Sequence, residues 1–465
     1  MTTIQMFRQR FTIRTAPRLC RGTAAALWGL CLLAPLAAAA TLEVGTGKPF
    51  DRIEDANAAA RPGDVILVHP RADGQPYKQT AVFVRQQRLT FRAAAAAGSQ
   101  RVTIDGSGFD YSGRGSTPRA IFQFNAGTDH CVLEGFELTG AHNGSHNGAG
   151  VRINQANHVT VRHCSIHGND MGIMSNGDGS LDRGVNQRIE FCAIHHNGDR
   201  ADPGYNHNLY LGGTSVTLHA CEVHSALTGH NVKSRAHFNW IEYCYVHDSA
   251  NREFDLVDAA DTARPGSHAV LLGNMIVKDP NCPGNRSVIH FGQDGGKEHD
   301  GTLHLRFNTV ITPFLAPVVE LSAPGAKAEL IGNIVWDGGQ RQNGQKLVAV
   351  RAGARLESAS GRDNRLGGLF QGLDGTALDA ATNPIRRFDS PLFADPAQHD
   401  YRLLPAVAGQ LVAPPDAMQI ALPAMPGAAQ SGGGPPLAWQ YRHPSDKQRR
   451  ETEAALTLGA CGRAK

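Results

Sequence analysis

A short motif that recurs along the middle of the chain constrains the fold more than any other feature. It is an alternating segment with cysteine in one fixed position, as in VTVRHCSIH, RIEFCAIHH, VTLHACEVH and NWIEYCYVH. Asparagine takes that position in VLLGNMIV, LHLRFNTVI and ELIGNIVW, and phenylalanine takes it upstream in CVLEGFELT. Successive copies lie 28, 28, 29, 23, 30, 34 and 25 residues apart, so the chain contains an internal repeat with loops of variable length. The residues in this position are Phe136, Cys164, Cys192, Cys221, Cys244, Asn274, Asn308 and Asn333.

Each copy alternates apolar and polar residues with a period of two, which indicates a β-strand. A short strand with one buried face is unstable alone, so each repeat must stack on the next one. Strand repeats of this length, joined by Asn- and Gly-containing turns, predict an all-β parallel β-helix whose rungs lie roughly 4.8 Å apart. The Cys or Asn side chains would then form a stack inside the coil.

The same alternation argues against a zinc site in the Cys-x-x-His units. Cysteine and histidine in each unit point to opposite faces of the strand, so their side chains do not converge on one ion. We expect the histidines to begin the turns after the strands, and the motif gives no metal ligands. The histidines are His167, His195, His224 and His247.

Residues 1–40 are predicted to be a secretory signal peptide rather than part of the fold. Five arginines without an acidic residue precede the apolar run TAAALWGLCLLAPLA, and small residues around Ala40 offer a cleavage site. We therefore expect a periplasmic or secreted protein with no membrane span after cleavage. Removal of these five arginines leaves 40 basic residues against 42 acidic ones, a net charge of −2, which argues against a nucleic-acid partner.

These features resemble the right-handed parallel β-helix of the pectate-lyase-like superfamily. GKPFDRIEDANAAARPGDVILV resembles its N-terminal capping helix and first rung, RVTIDGSG resembles a further early rung, and SPLFADPAQHDYRLLP resembles a segment that closes such coils. The resemblance implies a single coil over residues 41–405, which we expect to be monomeric. Residues 406–465 begin with a stretch rich in Pro, Gly and Ala, so we expect an irregular tail that packs on the coil or is partly disordered.

Seven cysteines remain after removal of the signal peptide, and this odd number leaves at least one thiol unpaired within the chain. Four of them belong to the predicted internal stack. Cys282 lies in the loop sequence DPNCPGNRS, where Cys131 and Cys461 are its candidate disulfide partners.

A β-helix has no central cavity, so ligands must bind on an outer face or in a groove between loops. Alternation along HNLYLGG, HNVKSRA, REFDLVD and RSVIHFG places one outward residue on each of four adjacent rungs, as Tyr210, Lys233, Asp255 and His290. We call these four residues the outer ladder. The predicted flanking residues are Arg235 on one side, Asn208, Asn231 and Glu253 on the other, and His207 and His230 at the strand starts.

This cluster of titratable groups suits β-elimination in an acidic polysaccharide. The reaction needs a cation for the uronate carboxylate, a base for the C5 proton and an acid for the leaving oxygen. Arg235 suits the carboxylate because its planar guanidinium binds it with two hydrogen bonds. Lys233 is the candidate base, and Tyr210 or His290 is the candidate acid or an alternative base. Asn208, Asn231, His207, His230 and Glu253 are the candidate substrate-binding residues.

The Lys/Arg pair is similar to that of the β-helix lyases that include chondroitinase B and alginate lyases. By this resemblance Lys233 would be the base. Asp255 and Glu253 would either orient Lys233 or hold a calcium ion, the one cofactor that the resemblance suggests. The calcium-binding Asn/Glu cluster of that group has no direct copy here, and Asn208, Asn231 and Glu253 are its candidate substitutes.

Three classes of function remain open from the sequence. The first is a polyuronate lyase or C5-epimerase, which share abstraction of the C5 proton. The second is a glycoside hydrolase that takes its carboxyl pair from Glu253, Asp255 and Asp258. The third is a non-catalytic carbohydrate-binding or surface protein. The hydrolase predicts that the carboxylates rather than Lys233 are indispensable for activity. The binding protein predicts that removing Lys233 weakens ligand binding only modestly.

Overall fold

A computed structural model describes most of the chain from residue 38 onward. The described ranges are 38–94, 101–114, 117–203, 205–295, 298–339, 343–367, 369–371, 378–379, 381–386, 391–418, 421–427, 438–450 and 456–463. Nearly all of the predicted signal peptide, residues 1–37, lies outside them. Within them, no helix is both long enough and apolar enough to cross a membrane.

Three long parallel sheets form the body of the protein and confirm the predicted right-handed parallel β-helix. The chain visits sheet A, then sheet B, then sheet C, and repeats this path at each rung. Sheet A contains Thr41–Val44, Val65–Val68, Thr90–Ala93, Val132–Glu134, Thr160–Arg162, Gln187–Glu190, Ser215–His219, Phe238–Glu242, Ala269–Leu272, Gly301–Arg306, Ala326–Ile331 and Ala359–Arg362.

Sheets B and C follow the same succession of rungs. Sheet B contains Tyr77–Lys78, Val102–Asp105, Phe136–Thr139, Ser165–His167, Ala193–His195, Glu222–His224, Tyr245–His247, Met275–Val277, Thr309–Ile311, Ile334–Trp336, Arg365–Gly367 and Ile385–Arg386. Sheet C contains Val82–Phe83, Ala120–Asn125, Ala149–Asn154, Met171–Asn176, Leu209–Leu211, Val232–Ser234, Phe254–Val257, Ile289–Gly292, Val319–Ser322 and Val348–Arg351.

The predicted internal stack lies at the corner between sheets A and B. Its cysteines and asparagines are buried, and the cysteine part joins the asparagine part where the Cys244 amide donates to Asn274 Oδ1 at 2.9 Å. Each asparagine amide group then donates to the next asparagine along the coil. Two residues that were not predicted, Asn364 and Asn383, extend this ladder. The repeated position therefore has the buried, inward orientation that its alternation predicted.

The N-terminal end is covered by the predicted capping helix, Ile53–Ala59. Ile53 and Ala56 are buried against the first rungs, while acidic Glu54 and Asp55 lie in the first turn, where they complement the helix dipole. GDVILV supplies the second strand of sheet A rather than the first, because Thr41–Val44 pairs in parallel with Val65–Val68 ahead of it.

Residues after the last described rung strand return along the outside of the coil. They form two antiparallel pairs, Phe393–Asp395 with Asp400–Leu403 and Trp439–Arg442 with Asp446–Arg449. Tyr401 and Leu458 join an apolar cluster on the outer coil surface, and the Ala460 amide donates to Thr309 Oγ1 at 2.9 Å. The remaining elements are Asn343–Lys346 paired with Leu369–Gln371, helix Pro405–Ala408, and the 3₁₀ turns Leu356–Ser358, Pro396–Gln398 and Pro415–Met418.

All seven cysteines after residue 37 are buried free thiols. The predicted pairing of Cys282 with Cys131 or Cys461 is therefore wrong. Cys282 Sγ instead lies 3.4 Å from the carbonyl oxygen of Ala250. The coil is held by its ladders and core, so a chain of this size needs no disulfide for stability.

Candidate functional site

The outer ladder is in register across four neighbouring strands of sheet C. Tyr210 pairs with Lys233, Lys233 with Asp255, and Asp255 with His290. The alternate residues of the same strands, such as Leu209, Val232 and Phe254, are buried in the coil as predicted. The alternation therefore gives the correct face for all four residues.

The ladder residues differ in their access to solvent. Lys233 is 8% exposed, Asp255 is 2% exposed and His290 is 3% exposed, whereas Tyr210 is only partly buried. The four residues do not line one groove, because Lys233, Asp255 and His290 are nearly buried. Only Tyr210 of the outer ladder reaches the groove described below.

Asp255 is the centre of a buried network of ion pairs. Its carboxylate contacts Lys233 Nζ at 3.1 Å, His290 Nδ1 at 2.8 Å and Arg252 Nη1 at 3.3 Å. Burial alone would raise the pKa of Asp255, but His230, His290 and Lys233 lower it to well below its ordinary value. The far side of the His290 ring contacts Ser322 Oγ through Nε2 at 2.5 Å. These contacts fix the middle of the outer ladder rigidly.

Asp294, from the loop after the His290 strand, links the two cations of the predicted site. One of its oxygens contacts Lys233 Nζ at 2.6 Å and Arg235 Nη2 at 2.7 Å. Burial opposes the charge of Asp294, but these two hydrogen bonds lower its pKa. Lys233 Nζ thus lies between two carboxylates, each of which also contacts another cationic side chain. These ion pairs occupy the amino group that the sequence indicates as the base.

The predicted outward orientation of Asn208, Asn231 and Glu253 is wrong. All three are completely buried and form a second internal ladder, in which Asn208 donates to Asn231 at 2.8 Å and Asn231 donates to Glu253 at 2.5 Å. Glu253 faces Lys278 Nζ at 3.6 Å inside the coil, and both side chains are fully buried. The reason is that these residues precede their strands, at the corner between sheets B and C, where strand alternation does not apply.

His207 and His230 stack on each other beside the outer ladder, with ring centres 5.1 Å apart. His207 Nδ1 accepts the His230 amide at 3.0 Å, and His230 Nδ1 accepts the Arg252 amide at 3.1 Å. In each neutral ring the proton must therefore be on Nε2, which makes it a donor rather than a base. Burial lowers the pKa of His207 well below its ordinary value and that of His230 to about 4.

The predicted calcium ligands do not fit one ion. Asp255 projects outward from its strand, whereas Glu253 projects into the coil, and each carboxylate already contacts its own cationic partners. A calcium ion needs several oxygen ligands that converge on one point. Glu253 and Asp255 cannot provide this together.

A groove of about 460 Å³ lies on sheet C next to Tyr210. Tyr210 and Arg235 line it, with the Arg235 guanidinium carbon 5.6 Å from the centre of the Tyr210 ring. Two further arginines, Arg119 and Arg152, line the same groove. Within the described part of the chain neither has a carboxylate partner, and their guanidinium groups donate to the Ser112 carbonyl and to Asn176 Oδ1. Burial lowers the pKa of Arg152, and nearby Arg119 adds to that effect. The groove wall thus carries three arginines, Arg119, Arg152 and Arg235.

Sequence reasoning missed the two groove arginines and Asp261, a buried carboxyl that lines the groove and whose pKa is raised by burial. The outward position of Arg152 could have been found from the sequence, because AGVRIN alternates in the same way as the strands of the outer ladder. Arg152 pairs with Met174, and Met174 pairs with Tyr210. Asp261 and Asp294 lie in loops that follow strands, where no periodic pattern predicts orientation.

The buried neutral state of His230 predicts an acid-sensitive stability. Between its ordinary pKa of 6.5 and about 4, the unfolded chain binds a proton that folded His230 does not bind. The free energy of unfolding should therefore fall as the pH is lowered through this window, by up to about 3 kcal/mol from this residue. We expect His230→Asn, whose Oδ1 can still accept the Arg252 amide, to reduce the slope measured by urea unfolding between pH 4.5 and 7.

His146→Asn is the matched control with the opposite sign. A hydrogen bond to Asp199 raises the pKa of His146, so its contribution is present below pH 6.5 and is lost as the pH rises through the folded pKa. Its removal should change the slope only above pH 6.5 and leave the slope between pH 4.5 and 6.5 unchanged. An unchanged slope in His230→Asn would contradict the neutral state assigned to that ring.

Comparisons with known proteins give a likeness of fold. No protein-family model matches the chain, and no curated protein sequence matches it. Among solved structures, pectate lyase Pel9A aligns with a TM-score of 0.48 and 14% identity over 91% of this chain and 96% of that one. A pectin methylesterase from Aspergillus niger aligns with a TM-score of 0.33 and 13% identity over 75% of this chain and 90% of that one. DFA-IIIase from Arthrobacter chlorophenolicus A6, without its lid, aligns with a TM-score of 0.35 and 16% identity over 75% of this chain and all of that one. At these identities the likeness concerns the fold alone.

Proposed function

We propose that this protein is an exported enzyme that acts on an acidic polysaccharide, cleaving uronate linkages by β-elimination or epimerising the uronate at C5. The observation that carries the proposal is the groove in which Tyr210 lies among Arg119, Arg152 and Arg235. Arg119 and Arg152, which have no carboxylate partner among the described residues, are suited to binding the carboxylates of a polyuronate. A phenol beside them is suited to moving a proton.

Tyr210 takes the role of base that the sequence had given to Lys233. Within the described residues its hydroxyl makes no hydrogen bond, whereas the hydroxyls of Tyr77 and Tyr111 donate to backbone carbonyls. Arg235 lies over its ring, and Lys233 is its neighbour on the next rung. In this proposal the Tyr210 oxygen receives the C5 proton, and Arg235 and Lys233 are the cationic neighbours of its ring.

The other two requirements of β-elimination are met by groups that line the same groove. An arginine that binds the uronate carboxylate stabilises the carbanion-like charge that develops when C5 loses its proton. Asp261, whose pKa is raised by burial, is suited to protonate the departing glycosidic oxygen. In an epimerase, the second group would return a proton to the opposite face of C5.

The hydrolase alternative has less support. Glu253 is inside the coil, Asp255 is surrounded by cations, and Asp258 accepts the Asp294 amide at 2.7 Å. None of the three lines the groove. An inverting or retaining hydrolase requires two carboxyl groups on either side of the scissile bond.

Ultraviolet absorbance of the mature protein mixed with alginate, pectate, glucuronan and glycosaminoglycans tests the proposal. A lyase gives a rising signal from unsaturated ends, and an epimerase gives incorporation of solvent deuterium at C5 without absorbance. New reducing ends without either signal would mean a hydrolase. That result, or no reaction on any polymer, would contradict the proposal.

Arg152→Ala tests the groove in the same assay. Loss of one arginine–carboxylate contact should raise KM about tenfold with little change in kcat, and the salt dependence should weaken. Arg61→Ala removes an exposed arginine near the N-terminal helix and should change neither constant. Equal effects of the two variants would mean that the groove does not bind the polymer.

A further inference from the structure

A row of histidines follows the outer surface of sheet B, away from the groove. Their rings stack from rung to rung with centres 4.9, 4.8 and 4.7 Å apart. The sequence predicted that these histidines begin the turns after the strands. They are instead the last residues of the strands of sheet B. The row consists of His167, His195, His224 and His247.

At one end of this row a carboxylate joins two of the imidazoles. Glu222 and His224 lie on one strand, His247 lies on the next, and one potential ligand atom from each lies within 4.8 Å of the others. Glu222 Oε1 is 3.4 Å from His247 Nε2, and both side chains are less than 10% exposed. Two nitrogens and one oxygen on adjacent rungs thus converge on one small volume.

Neighbouring groups orient both imidazoles. His247 Nδ1 lies 2.8 Å from Asp248 Oδ2, and His224 Nδ1 lies 3.0 Å from Ser225 Oγ. When Nδ1 of His247 donates to Asp248, its Nε2 faces the Glu222 oxygen. Either a proton on Nε2 or a metal ion between the two atoms offsets the repulsion of their lone pairs. A carboxylate that accepts from the distal ring nitrogen is the usual outer partner of a metal-binding histidine.

The returning C-terminal segment brings a further imidazole to the same carboxylate. His443 Nδ1 lies 3.3 Å from Glu222 Oε1, and its ring stacks on His399 with centres 4.6 Å apart. His399 and His443 also line an open cleft of about 320 Å³. His443 contacts Glu222 but lies outside the set of three ligand atoms that are within 4.8 Å of one another, so its ring would have to move toward His224 and His247 to supply a fourth ligand.

We propose that Glu222, His224, His247 and His443 bind one transition-metal ion of the Zn²⁺ class. Three imidazoles and one carboxylate are a donor set that suits Zn²⁺ and its neighbours in the first transition series, and does not suit calcium or magnesium. The bound ion would join two coil rungs to the C-terminal segment. Its role is independent of the polysaccharide chemistry proposed for sheet C.

Metal titration of the tag-free, chelator-treated full chain tests this proposal. We expect Zn²⁺ to bind with one-to-one stoichiometry by calorimetry, and Co²⁺ to give the visible absorption bands of a tetrahedral N/O site. His247→Ala should weaken binding about 100-fold or more, and His443→Ala about tenfold. Because His443 is partly exposed, its variant should fold even if His247→Ala does not, which circular dichroism will show.

His167→Ala is the matched control, because His167 belongs to the same stacked row but contacts Glu137 rather than Glu222. It should bind Zn²⁺ as the unchanged protein does. Absence of saturable binding would overturn the proposal, as would equal weakening by His167→Ala and His443→Ala.

Discussion

Tyr210→Phe is expected to reduce kcat on the responsive uronate polymer about a thousandfold, because general acid–base catalysis by one side chain contributes on that order. The substitution removes only the hydroxyl, which makes no hydrogen bond within the described structure. The ring should still pack beside Arg235, so KM should change little. Steady-state absorbance kinetics measure both constants.

The thermal unfolding temperature of Tyr210→Phe should match that of the unchanged protein. Tyr205→Phe is the control, because that tyrosine is 73% exposed and does not line the groove. Retention of kcat in Tyr210→Phe would remove Tyr210 from the chemistry. Loss of kcat in Lys233→Met with full activity in Tyr210→Phe would restore the base that the sequence indicated.

Asn308→Ala is expected to cost about 3 to 5 kcal/mol of unfolding free energy, the largest effect on stability that we predict. Asn308 Oδ1 accepts from both the amide and the side chain of Asn274, at 2.9 and 3.0 Å. Its own side chain donates to the Leu271 carbonyl at 2.8 Å. Alanine would leave these groups buried without partners, each at a cost of about 1 to 3 kcal/mol.

Urea unfolding followed by circular dichroism measures this change. Asn281→Ala, in an exposed loop, should alter stability by less than about 0.5 kcal/mol. A loss of less than about 1 kcal/mol in Asn308→Ala would mean that water replaces the missing amide. In that case the asparagine ladder would contribute little to the strength of the coil.

The fold and the face of the outer ladder were predictable because both follow from periods in the sequence. The repeated Cys or Asn position gave the rungs, and alternation within each rung gave the outward direction of Tyr210 and Lys233. The prediction that Asn231 points outward was wrong because alternation was applied where it does not hold. It lies at a corner, where the chain turns between sheets and the period of two does not hold.

The contacts made by loops could not be predicted from any period. Asp294 is remote in sequence from Lys233 and Arg235, yet it contacts both. The cluster at Glu222 likewise depends on His443, which arrives from a segment more than 200 residues later in the chain. Side chains that converge from such distances are set by the path of each loop rather than by the strands.

The buried pair of Glu253 and Lys278 has a consequence for how the coil assembles. Rungs that stack cysteine on cysteine, or asparagine on asparagine, are nearly interchangeable, so a chain could thread with one rung skipped and still satisfy most of its hydrogen bonds. A carboxylate and an ammonium that are both fully buried tolerate no such slip, because each would then be desolvated without its partner. We expect this pair to fix the register in which the repeats stack. This role is separate from any contribution to stability.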